Sequence, residues 1–94
     1  MRIAVFSTQS YDKDYLDRFN ENKHELTYFE ERLKASTANL TQGYAGVCVF
    51  VNDKLDAATI KAIAQNGVKA IILRCAGFNN VDLDAAKQCG ITVL

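Results

Sequence analysis

Proline and tryptophan are missing from this 94-residue sequence, and histidine occurs once. Without proline there is no proline-rich linker, and no repeat or low-complexity tract divides the chain. His24 alone cannot build a histidine metal site, and it has no evident carboxylate partner for an acid/base pair. The three cysteines, Cys48, Cys75 and Cys89, are odd in number and widely spaced, with no CxxC motif. They are read as reduced thiols, and Cys75 as a small buried filler. The five glycines, at 43, 46, 67, 77 and 90, never form GxGxxG or a phosphate-cradling P-loop. No dinucleotide site is therefore expected from this chain by itself.

Charge of one sign is also lacking. Eleven basic residues balance eleven acidic ones, and no basic stripe stands out. Nucleic acid and anionic membranes are poor candidate partners. The longest apolar run, around Ala70 to Leu73, is far too short to span a bilayer. The first residues, Met1 to Phe6, pass at once into polar residues and do not read as a secretory signal, so a cytoplasmic location is expected.

What is present is a globular composition, 49% apolar, of a length that fits one domain. Strand and helix patterns alternate. Residues 2–7 are apolar and strand-forming. Residues 11–22 place Tyr11, Tyr15, Leu16 and Phe19 at helical spacing behind Ser10 as a cap. Residues 25–30 alternate, with Leu26, Tyr28 and Glu30 on one side and Thr27 and Phe29 on the other, which suits an edge strand. Residues 37–42 suit one short helical segment. Residues 46–51 are a continuous apolar run, as in a central parallel strand covered on both faces. Residues 56–66 form a helix with Ile60, Ile63 and Ala64 inward, and Gly67 sits where a left-handed cap is wanted. Residues 68–73 give another buried strand, residues 82–89 a short helix capped by Asp82 and ended by Gly90, and residues 91–94 a fifth strand. Alternation of this kind implies parallel pairing with right-handed crossovers. The expected architecture is α/β, a flavodoxin-like doubly wound parallel sheet of about five strands.

Ligands of such sheets bind beyond the carboxyl ends of the strands. The most informative segment is there: Leu73-Arg74-Cys75-Ala76-Gly77-Phe78-Asn79-Asn80-Val81-Asp82. Backbone N–H groups of Ala76 and Gly77, in a short loop before a helix, could face a small carboxylate. The bland alternative is a plain connection in which Gly77 makes the turn. Arg74 could fork onto a carboxylate or serve in a structural ion pair. Ser7-Thr8-Gln9-Ser10 and Asn52-Asp53 follow two other strands and could line the same crevice, although turn and cap chemistry explains these residue types as well.

The segment 73–82, its continuation Leu83-Asp84-Ala85-Ala86-Lys87, the opening Ile3-Ala4-Val5-Phe6-Ser7-Thr8 with Tyr11-Asp12, and Val47-Cys48-Val49-Phe50-Val51-Asn52-Asp53 resemble the start of NAD-dependent D-lactate dehydrogenases, within the D-isomer-specific 2-hydroxyacid dehydrogenase family. The resemblance covers the whole chain. It implies an oxidoreductase that interconverts pyruvate and D-lactate with NAD. Residues 1–94 would be the N-terminal, substrate-side portion, with the cofactor domain absent and no NAD bound by this chain alone. It also implies that the backbone of Ala76 and Gly77 binds the substrate carboxylate. Neither Arg74 nor His24 matches the family's catalytic arginine or histidine, so no catalytic residue is assigned and the chain alone is expected to be inactive. Two rival expectations stand beside this: a stand-alone carboxylate-binding module without chemistry, and an assembly module whose sheet edge pairs with another chain, which leaves a homo-oligomer open.

Overall fold

The computed structural model describes residues 2–8, 18, 24–50, 53–73 and 81–94. Five strands lie in one sheet: β1 (Arg2–Val5), β2 (Glu25–Tyr28), β3 (Gly46–Val49), β4 (Ala70–Leu73) and β5 (Thr92–Val93). Their order is β2-β1-β3-β4-β5, and every neighbouring pair is parallel. The flavodoxin-like, doubly wound expectation holds. β2 is an edge strand, as its alternating pattern required, and β3 is buried along its whole length.

Strand alternation sorts the apolar residues onto two faces. Ala4, Val47, Val49 and Ile71 enter one cluster together with Phe6, Leu33, Ala38, Ile60, Ile63 and Ala86. Ile3, Val5 and Cys48 enter the other, with Leu26, Tyr28 and Ile72 packed against them. The first face carries a 3-10 segment (Ala35–Thr41) and two helices, α1 (Ala57–Gln65) and α2 (Leu83–Gln88). The described units β3-α1-β4 and β4-α2-β5 cross over on that face, and each steps one strand outward. Full burial of a branched side chain such as Ile60 or Ile63 contributes about 1.5–3 kcal/mol.

The helix ends follow the sequence closely. Asp56 caps α1 by accepting the Thr59 N–H at 3.0 Å and the Thr59 hydroxyl at 2.7 Å. Asp82 caps α2 through the Ala85 N–H at 3.0 Å. Gly67 ends α1 at φ +99° and Gly90 ends α2 at φ +73°, a backbone region that L side chains enter only with strain. The Asn66 side-chain amide then donates to the Ala38 carbonyl at 2.9 Å and to Thr41 Oγ1 at 3.1 Å, fastening the end of α1 to the 3-10 segment.

Some boundaries and one inward position differ from the sequence reading. β3 ends at Val49, so Phe50 lies outside the strand with its side chain 38% exposed. The 3-10 segment begins at Ala35, two residues before the expected start. Thr59 is fully buried, whereas Ala64 is only half-buried. Bonding to Asp56 satisfies the Thr59 hydroxyl and lets its methyl group face the core. Phe29 and Tyr28 are packing aromatics: the Phe29 ring stacks on Phe6 at 5.1 Å and meets Tyr44 edge-on at 6.1 Å, and Tyr28 packs against the second cluster. His24 is exposed. Cys48 is buried and Cys89 is exposed. Of the expected helix at 11–22 only Arg18 is described, helical and exposed, and the Ser10 cap lies outside the described residues. Among the described residues no helix is long and apolar enough to cross a membrane.

Candidate carboxylate site at the strand ends

The direction of winding reverses between β1 and β3, because the chain leaves β1 toward β2 and leaves β3 toward β4. Strand ends diverge at such a point and open a crevice. Here the crevice floor is a polar knot. Among the described residues, Asp53, 2% exposed, accepts hydrogen bonds from Ser7, Leu33 and Phe50. Its Oδ1 takes the Ser7 hydroxyl at 2.6 Å and the Leu33 N–H at 2.7 Å. Its Oδ2 takes the Phe50 N–H at 2.7 Å. The Asp53 N–H in turn donates to the Phe50 carbonyl at 3.0 Å, and the Lys54 N–H donates to the Leu33 carbonyl at 2.8 Å. Hydrogen bonds to a carboxylate each contribute about 1.5–3 kcal/mol, and stranding a buried donor costs a comparable amount.

Ser7 is held in an unusual shape. Its φ is +54°, the one positive value among the described non-glycine residues. A left-handed conformation costs an L residue about 1–2 kcal/mol. Three bonds hold it there: its hydroxyl on Asp53, its N–H on the Glu31 carbonyl at 2.8 Å, and the following Thr8 N–H on the Phe29 carbonyl at 3.0 Å. The sequence placed Ser7 and Asp53 at strand ends as alternative crevice residues. The structure brings them into direct contact, and Asp53 also closes a turn onto Phe50, so the turn reading of Asp53 applies. Leu33 was the contributor that sequence reasoning missed. The signal was a single leucine within the polar run Glu30-Glu31-Arg32-Leu33-Lys34, and it is fully buried.

The segment that follows β3 also frames the loop after β4. At the loop's entrance Val49 pairs with Leu73. At its exit Leu55 forms a parallel bridge with Val81, and the Asp82 N–H donates to the Leu55 carbonyl at 2.9 Å. Both ends of residues 74–80 are therefore fastened to the stretch that holds Asp53. The predicted carboxylate-binding residues Ala76 and Gly77 lie within 74–80, outside the described residues, as do Arg74, Cys75, Asn79 and Asn80. Gln9, Ser10 and Asn52 are outside them as well.

Residues 3–94 match the family model for the catalytic domain of D-isomer specific 2-hydroxyacid dehydrogenases. The chain belongs to that family. It is 58% identical over 95 residues to 2-hydroxyacid dehydrogenase homolog 1 of Schizosaccharomyces pombe, covering 100% of this chain and 29% of that protein. The apo-structure of D-lactate dehydrogenase from Escherichia coli superposes with a TM-score of 0.97 at 48% identity, covering 100% of this chain and 30% of that one. D-lactate dehydrogenase with NAD+ from Lactobacillus jensenii superposes with a TM-score of 0.83 at 32% identity, covering 99% and 29%. The chain thus spans less than a third of the length of these proteins.

Among the described residues, three donors at the winding reversal are taken up within the chain rather than offered to a nicotinamide dinucleotide. The donors that a pyrophosphate would need at the winding reversal, the Ser7 hydroxyl and the Leu33 and Phe50 N–H groups, are already committed to Asp53.

Proposed function

We propose that this chain forms the substrate-side part of an NAD-dependent D-2-hydroxyacid dehydrogenase that interconverts pyruvate and D-lactate. Residues 1–94 are a portion of its substrate-binding domain, NAD is held elsewhere in the protein, and the setting is cytoplasmic. Ala76 and Gly77 bind the substrate carboxylate through their backbone N–H groups, and no residue of this chain carries the proton or hydride chemistry. Family membership supports the reaction class, and likeness to D-lactate dehydrogenases supports the substrate. The observation that carries the loop assignment is its fastening at both ends, Leu73 to Val49 and Val81 to Leu55, at the carboxyl edge of a parallel sheet.

The test is pyruvate-dependent oxidation of NADH by the natural protein that carries this segment, with an enantiomer-specific assay of the product. D-lactate is expected; L-lactate, or no turnover with any small 2-oxo acid, overturns the reading. Gly77→Val should raise KM for pyruvate by about tenfold or more, since a side chain intrudes where backbone must approach the ligand. The 94-residue chain alone should show no NADH oxidation, and measurable turnover by it would contradict the assignment of the chemistry to residues outside it.

A further inference from the structure

We infer that the strand ends around Asp53 form a binding site for a small monocarboxylate, which the wild-type chain fills with its own side chain. With the Asp53 carboxylate removed, the site takes formate or acetate. This does not rest on the reaction proposed above, and Asp53 is given no part in that reaction.

The donors converge as they would on a free carboxylate. The Ser7 hydroxyl at 2.6 Å and the Leu33 N–H at 2.7 Å meet Oδ1, and the Phe50 N–H at 2.7 Å meets Oδ2. Both oxygens of one planar group are gripped, which favours a carboxylate over a halide. The place is the winding reversal between β1 and β3, where open parallel sheets hold ligands. Asp53 is 2% exposed, so an anion in its place meets the donors with little competition from water. Each donor is also held by contacts that do not involve the carboxylate. The Ser7 N–H donates to the Glu31 carbonyl at 2.8 Å, and the following Thr8 N–H to the Phe29 carbonyl at 3.0 Å. Leu33 is fully buried, and its carbonyl accepts the Lys54 N–H at 2.8 Å. Phe50 directly follows Val49, which is paired with Leu73 in the sheet. Removing the Asp53 side chain therefore leaves the donors in place around a cavity, and a preorganised cavity needs little ordering to bind. Glycine at position 53 clears room for acetate. Alanine keeps Cβ and clears room only for formate.

The experiment measures thermal unfolding of the natural protein carrying Asp53→Gly, with acetate or acetamide added at equal ionic strength. The shift seen in the wild type is subtracted, which removes acetate bound elsewhere, the proposed substrate loop included. Acetate should raise the Tm of Asp53→Gly by roughly 2–4 °C beyond the wild-type shift, with half-saturation at about 1–100 mM. Acetamide should give less than about half that rise, because its N–H₂ meets a donor. Adding Ser7→Ala to Asp53→Gly removes one donor and should weaken the acetate half-saturation by about threefold to tenfold. No rise with acetate, an equal rise with acetamide, or an undiminished response after Ser7→Ala overturns the inference.

Asp53→Ala carries the same test if Asp53→Gly does not fold. There formate should raise Tm more than acetate, and the reverse order refutes the inference. If neither variant folds in water, recovery of Asp53→Gly from urea decides. The yield of folded protein should be at least about threefold higher in acetate than in acetamide, and equal yields refute it. Absence of 2-oxo acid reduction in the wild type would defeat the proposed function instead, and none of these readouts depends on that reaction.

Discussion

The two ends of the sheet both carry a charged side chain that ties distant segments together, and they do so in opposite surroundings. At the carboxyl ends Asp53 is 2% exposed and accepts from Ser7, Leu33 and Phe50 at 2.6–2.7 Å. At the amino ends the Arg2 guanidinium lies over the Tyr44 ring at 4.7 Å, donates to the Gly43 carbonyl at 3.2 Å and reaches Glu25 at 3.5 Å. The Arg2 and Glu25 side chains are 50% and 66% exposed. Water and salt weaken the second arrangement and barely reach the first. Similar connectivity therefore yields a rigid frame at one end and a loose clasp at the other. The rigid end is the one that borders the candidate carboxylate loop.

The largest expected effect is Asp53→Ala, which strands the Ser7, Leu33 and Phe50 donors in the interior. A loss of about 3–5 kcal/mol in unfolding free energy is expected. Denaturant titration measures it, and a loss below about 1 kcal/mol would mean that water replaces the carboxylate and that the two ends of the sheet are alike.

Ser7 sharpens the comparison, because its tie and its strain can be separated. Ser7→Ala loses the bond to Asp53 and keeps the left-handed backbone, so it should cost about 1–2 kcal/mol. Ser7→Gly loses the same bond and relieves the strain at φ +54°, which offsets about 1 kcal/mol. Glycine should therefore be the more stable of the two variants by thermal unfolding. The reverse order would mean that the backbone at position 7 relaxes once the hydroxyl is gone.

This contrast also shows how much the sequence made legible. Local signals were readable: the caps Asp56 and Asp82, the terminators Gly67 and Gly90, the alternation in β2 and the apolar run in β3 each follow from one short stretch of residues. So was the family, through residues 73–82. The Asp53 knot was not readable, because its partners at residues 7 and 33 become neighbours of Asp53 only on folding. Leu33 shows the difficulty most plainly. Its neighbours are charged, its segment has no regular period, and its burial depends on strands formed elsewhere.

A smaller effect concerns Asp56, only three residues from Asp53 but exposed and bonded within its own turn. The Thr59 N–H, and after it the Thr59 hydroxyl, lower the Asp56 pKa from its ordinary value of 3.8. A carboxyl whose folded pKa is depressed stabilises the fold above its unfolded value and loses that contribution as pH falls through the folded one. The stability gap between wild type and Asp56→Asn should be full near neutral pH and should shrink as pH drops below 3.8. A gap that stays constant across that range in parallel thermal melts would assign the cap to hydrogen-bond geometry rather than charge.

The smallest effect belongs to the loose clasp. Arg2→Ala removes one exposed ion pair, one exposed hydrogen bond and the contact with Tyr44, and should cost about 0.5–1 kcal/mol at low salt. Raising the salt concentration should remove the ion-pair share and leave the ring contact, since screening acts on separated exposed charges more than on a cation packed against an aromatic face. Arg2→Lys tests the same division. Lysine keeps the charge near Glu25 but lacks the flat guanidinium that lies over Tyr44, so it should recover only part of the loss. Full recovery by lysine would make the clasp a matter of charge alone. A loss from Arg2→Ala as large as that from Asp53→Ala would show that exposure does not separate the two ends of this sheet.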